Sequence, residues 1–165
     1  MNNLPIKLDI NHNKNQLGDG YLKFQLNHQT AAILAMSYIQ EAVILPVDAI
    51  TPMPNMPACI LGLMNWRSRI IWAIDLPRML NLESLDNRLR QYHVIVIKVE
   101  SLLLGVVVQE IKGVTKLMPD EIRSPIGQVA SSLVPYLCGC VVQPEEIFLV
   151  LDAQPIVNSP VLHNI

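Results

Sequence analysis

From Tyr21 onward the chain is built from short apolar runs separated by brief polar breaks. Residues 21–26 (YLKFQL) alternate with period two, the pattern of a half-buried strand. Asn27-His28-Gln29 forms a turn, and residues 30–36 read as a second strand that is apolar on both faces. Residues 38–45 (YIQEAVIL) make a third, with Ile39, Val43 and Leu45 on one side. In a regular strand Glu41 falls on that same side, so its carboxylate needs an edge or a partner. Prolines at 46, 52, 54 and 57 exclude a central strand or a helix interior from 46 to 57. That stretch reads as a crossing loop that runs into a short helical turn at 58–61.

Residues 60–80 (ILGLMNWRSRIIWAIDLPRML) organise the chain. Apolar runs at 61–66 and 70–74 flank Arg67-Ser68-Arg69, which predicts a β-hairpin with a basic turn. A two-residue turn would put Trp66 and Trp72 on opposite faces. Asp75 then precedes a short apolar segment with Pro77 in its first turn, a helix N-cap pattern. After a polar connection at 81–91, a second strong strand pair follows at 92–100 and 102–109. The next strand covers 110–118 and has Gly113 as a bulge or bend. Residues 119–132 read as loop, and 135–143 with 147–151 as a closing hairpin around Pro144-Glu145-Glu146. Asp152 opens one helical turn. About ten strands with regular turn signals predict a barrel or a sandwich, and periodicity does not choose between them.

Composition narrows the function classes. At 165 residues the chain suits one domain with a real core. The 51% hydrophobic content is mostly aliphatic, with 5% aromatics, which favours β structure. A net charge of −2 with both signs interspersed argues against nucleic acid as the main partner. Residues 1–19 form a polar, Asn-rich arm without the apolar core of a signal peptide, and no apolar run reaches membrane-spanning length, so a cytoplasmic protein is expected. Cys59, Cys138 and Cys140 are too few and too oddly spaced for a disulfide framework or a metal site, and are expected to be buried thiols. His12, His28, His93 and His163 are scattered, with His93 a satisfied or edge histidine in an apolar strand. No phosphate-binding loop, dinucleotide fingerprint, zinc-protease motif or nucleophile elbow is present, so neither a catalytic site nor a cofactor is expected. Asp75 and Asp152 are accounted for as helix caps.

The segment Gly62-Leu63-Met64-Asn65-Trp66-Arg67, with Ile70-Ile71-Trp72-Ala73-Ile74-Asp75-Leu76 after it, resembles the central motif of the CheW-like domain family. Weaker matches flank it: Ile39-Gln40-Glu41-Ala42 resembles a family "V-x-E-V" element, and the closing segment near Asp152 resembles the family's last strand and turn. The likeness covers about residues 20–155. It implies a mainly β fold of two SH3-like five-stranded barrels sharing a core, one covering the early strands and one the middle of the chain, with short helices. The domain would run from 20 to 157, with an arm at 1–19 and a tail at 158–165. It also implies a non-enzymatic adaptor that couples methyl-accepting chemoreceptors to the regulatory domain of a CheA-type histidine kinase. Partner binding would fall on Arg67, with Glu41, Asn65, Ser68 and Arg69 around it. Arginine suits that role because its planar fork can hold a carboxylate bidentately. Ser68, Trp72 and Gln109 stand where the family usually has Gly, Pro and Asp, so an adaptor of a type IV pilus or phototaxis pathway is a second reading. A small-molecule-binding β-barrel is the competitor from another class, though no polar cluster predicts its pocket.

Overall fold

The computed structural model describes residues 6–7 and 19–163. Among the described residues, eleven strands form two sheets. One is six-stranded, in the order β1 (Ile6–Lys7), β4 (Ile39–Pro46), β7 (Gln91–Val99), β8 (Leu102–Val108), β6 (Arg69–Asp75), β5 (Ile60–Trp66). The other is five-stranded, in the order β10 (Leu137–Val142), β11 (Ile147–Leu151), β3 (Ala31–Ala35), β2 (Asp19–Gln25), β9 (Glu110–Leu117). Neighbours are antiparallel except β6 with β8 and β11 with β3. The described residues also form three short helices, α1 (Leu76–Met79), α2 (Ala153–Val157) and α3 (Pro160–His163).

Each sheet curls around an interior of its own, and a third apolar core lies between the sheets. Along β7, Val94 and Val96 enter the first interior while Ile95 and Ile97 enter the shared core. Along β11, Phe148 and Val150 enter the second interior while Leu149 and Leu151 face the shared core. Strands buried on both faces have no polar side to show, which is why they read as continuous apolar runs. β2 keeps a clean alternation: Leu22 and Phe24 are fully buried, while Lys23 lies over the Phe148 ring at 4.8 Å.

The two-barrel architecture expected from the resemblance is present, but the chain is threaded differently from an early barrel followed by a middle one. β4 to β8 build the first sheet, and β2 and β3 are completed by β9 to β11 from the end of the chain. Of the N-terminal arm, Ile6 and Lys7 pair with Ile44 and Val43 on β4. After Asp152, α2 and α3 place Ile156, Val157, Val161 and Leu162 against the shared core.

Four local expectations are corrected. Residues 58–61 are not helical: a single turn, closed by Ile60 N–H donating to the Pro57 carbonyl at 2.9 Å, leads straight into β5. The strand starts there because Thr51 and Leu63 exchange two backbone hydrogen bonds, at 2.8 and 2.9 Å. Gly62 makes this approach feasible: its φ is +146°, and a Cβ would lie 2.0 Å from the Thr51 carbonyl oxygen. Pro135 lies in a 3-10 helix (Ser131–Tyr136), not in the strand that follows. Cys138 is exposed, because a register shift between Leu137 and Gly139 takes it out of the regular alternation, whereas Cys140 is fully buried. Finally, Ile39 and Glu41 do not share a face. β4 bulges against β7 between them, so Ile39 joins the shared core while Val43 and Leu45 line the first interior. The bulge expected at Gly113 is present, with φ +144° and a register shift opposite Lys23 and Phe24.

Candidate functional site

The β5–β6 hairpin has a two-residue turn, Arg67-Ser68, with Trp66 paired to Arg69. Arg69 therefore opens β6 and is not part of the turn. Both turn residues are left-handed, with φ +48° at Arg67 and +63° at Ser68. That is the handedness of a type I′ turn, whose twist matches the flanking strands. Neither residue is glycine, so the turn carries backbone strain of about 1–2 kcal/mol per residue. Trp66 and Trp72 are on opposite faces. Trp66 is buried in the first interior, and Trp72 is half-buried against the shared core.

Glu41, at the bulge of β4, meets this turn. Its Oε1 accepts a hydrogen bond from Trp66 Nε1 at 3.1 Å, and its Oε2 accepts from Arg67 Nη2 at 3.1 Å. The Arg67 guanidinium also lies over the Trp66 ring, 4.8 Å from its centroid. In the sheet order β4 and β5 are separated by β7, β8 and β6, so this cluster ties the two ends of the curled sheet together. The Glu41 side chain is 12% exposed and that of Arg67 is 59% exposed. An ion pair this open adds about 0–1 kcal/mol to stability. Its main consequence is geometric: the guanidinium is held against an aromatic face and a carboxylate, with the rest of its fork turned to solvent.

Of the residues expected at the partner surface, Arg67, Ser68, Arg69 and Asn65 are exposed on or beside the turn, and Glu41 is set beneath it. Three residues were missed. Trp66 fixes both Glu41 and Arg67; the bond spans 25 positions and has no local signal. Ile70, 73% exposed, and Leu102, 45% exposed, sit at the N-terminal ends of neighbouring strands β6 and β8. A large apolar side chain left in water beside a basic turn is the kind of signal a partner surface gives, but in the sequence Ile70 is only the first residue of an apolar run.

The remaining chemistry-bearing residues are structural. Asp75 is buried; its Oδ1 accepts from Arg78 N–H at 3.1 Å, the expected N-cap, and its Oδ2 accepts from Leu85 N–H at 3.4 Å. Burial pushes its carboxyl above the usual range, against those hydrogen bonds and the Arg78 charge. Asp152 caps α2 through Gln154 N–H at 3.1 Å. His93 is satisfied, its Nδ1 accepting from Ile111 N–H at 3.0 Å. The Cys138 side chain is exposed overall, but partial desolvation of its sulfur, 3.8 Å from the Leu151 carbonyl, pushes the thiol up, with the Asp152 charge adding to the shift. Among the described residues no group of three or more His, Cys, Asp or Glu side chains could hold a metal ion, and no helix is long and apolar enough to cross a membrane.

Two curled sheets around a shared core, carrying a preset surface arginine, define a β-rich scaffold domain. The CheW-like domain model matches residues 20–161, and the chain belongs to that family, whose members are non-enzymatic scaffolds of chemotaxis-type signalling. A relative, the chemotaxis protein CheW of Treponema pallidum (strain Nichols), is 29% identical over 147 residues, which cover 86% of this chain and 84% of the relative. In fold the chain is similar to the scaffolding protein TtCheW from Thermoanaerobacter tengcongensis, with a TM-score of 0.71, 19% identity, and coverage of 82% of this chain and 90% of that one.

Proposed function

We propose that this protein is a cytoplasmic coupling adaptor that binds the regulatory domain of a CheA-type histidine kinase and the cytoplasmic tip of a methyl-accepting chemoreceptor. The observation that carries the reading is the Glu41–Trp66–Arg67 cluster. It presents a guanidinium in a fixed setting, flanked by exposed Asn65, Ser68 and Arg69 and by the apolar Ile70. Such a surface fits a partner that offers a carboxylate beside a small apolar patch: the charge fixes register, and desolvation of Ile70 supplies affinity. Holding the guanidinium in place beforehand lowers the ordering cost of binding.

Titration calorimetry with a kinase regulatory domain from the same organism tests this. Micromolar binding is expected, reduced at least ~10-fold in Arg67→Glu, equivalent to about 1.4 kcal/mol. The melting temperature should change little, since the Arg67 side chain is 59% exposed and Trp66 Nε1 still donates to Glu41. Equal loss of fold and binding would make Arg67 structural. Absence of binding to any such kinase would overturn the kinase-coupling reading and direct the search to pilus-pathway or phototaxis components.

A further inference from the structure

The chain leaves β8 at Val108 and enters β9 at Glu110, so Gln109 alone carries it from the first sheet to the second. Its N–H is shared between the carbonyls of Gln25 at 3.0 Å and Leu26 at 3.2 Å. Its Oε1 accepts from Asp86 N–H at 3.4 Å, and the buried Asn27 donates from Nδ2 to the Glu83 carbonyl at 2.7 Å. Beside this crossover a side chain of one sheet holds the backbone of the other. His93, on β7, accepts the Ile111 N–H of β9 on its Nδ1 at 3.0 Å. A ring that accepts on Nδ1 is neutral and carries its hydrogen on Nε2.

We propose that His93 is a proton-sensitive staple between the two barrels: with Nδ1 bare it fixes the start of β9 against β7, and with Nδ1 protonated it releases it. In the protonated ring two N–H groups would face each other, and the Ile111 amide would lose its acceptor. On β4 and β8 the register partners of His93 are Ile44 and Val108, which carry no charge. On β9 the charged neighbour is Glu110, which favours the imidazolium but is already engaged by Lys112 Nζ at 2.9 Å. Burial outweighs Glu110, and the ring's pKa lies below the ordinary 6.5.

The sign follows from that direction. Between the ordinary value and the lower folded value, the unfolded chain binds more protons than the folded one. The staple's contribution is therefore complete above about pH 6.5 and fades as pH falls through the folded pKa. If the protein couples its partners through packed contacts between the barrels, acidification would loosen that coupling. This consequence rests on the adaptor reading, whereas the staple itself does not.

Nuclear magnetic resonance on the full chain tests the staple directly. His93 ring nitrogens and the Ile111 amide would be followed from about pH 8 to about pH 5, a range that brackets an ordinary histidine. The ring should titrate below its ordinary value, with the Ile111 amide shift moving in step. Protection of that amide, corrected for intrinsic exchange, should fall at least ~10-fold on protonation. His93→Gln supplies an amide oxygen that accepts without titrating, and should keep Ile111 protected across the range. An Ile111 amide unmoved while His93 titrates would overturn the proposal, as would the same acid-dependent loss in His93→Gln. The wild-type titration decides by itself if that variant does not fold.

Discussion

Arg67 sits in a left-handed turn position that arginine does not favour, and Ser68 follows it in another. Replacing Ser68 with Gly removes the Cβ penalty at φ +63°, although glycine also gives the unfolded chain more freedom. The net gain should be about 0.5–1 kcal/mol, read as a higher melting temperature. Glu41→Ala makes the opposite case. It leaves the Trp66 indole N–H and the Arg67 guanidinium without the acceptors seen here, and should cost about 1–3 kcal/mol in denaturant titrations. It should also shift Trp66 fluorescence and weaken binding along with Arg67→Glu. At this scale the sequence shows the participants but not their arrangement. The motif points to Arg67, and the uncompensated carboxylate in an apolar run points to Glu41. The link through Trp66 depends on the curl of a six-stranded sheet, which no local pattern encodes.

Among the elements, the β5–β6 hairpin and α1 are the most legible. Their signals are short-range: two apolar runs, a polar turn, then Asp and Pro at a helix start. The 58–61 segment was misread because its fate is set by Thr51, which pairs with Leu63 from outside the window. Gly62→Ala tests that pairing. The added Cβ meets the Thr51 carbonyl at an unfavourable φ, so a loss above ~2 kcal/mol and reduced soluble yield are expected. Asp75 makes a subtler case. Its folded pKa is raised, so the folded state holds the proton more tightly than the unfolded chain. Its contribution is present below the ordinary carboxylate value and lost as pH rises through the folded pKa. Asp75→Asn should flatten that dependence above about pH 4, and because its amide nitrogen cannot accept, the Leu85 N–H loses its acceptor at a cost of about 1–3 kcal/mol. Asp75→Ala should cost about 1–2 kcal/mol by removing the cap to Arg78 N–H. Melting curves from about pH 3 to 7 on the three proteins separate the effects.

For the whole molecule, residue patterns reach as far as about ten short strands, and the choice of a two-barrel fold came from the resemblance around 62–76. Threading was the part least visible in the sequence. The second sheet pairs Gln25 of β2 with Glu110 of β9 and Ala31 of β3 with Phe148 of β11, the latter in parallel. Strands such as 92–100 carry apolar residues on both faces because they serve two cores at once, so alternation gives no clue to which core is which. Coupling of two partners through the preset guanidinium is read out by kinase activity in receptor-containing vesicles, with and without this protein and with Arg67→Glu. The wild-type protein should raise receptor-dependent kinase activity at least ~10-fold, and Arg67→Glu, folded to the same melting temperature, should lose most of that gain. Equal coupling by Arg67→Glu and wild type would contradict the account.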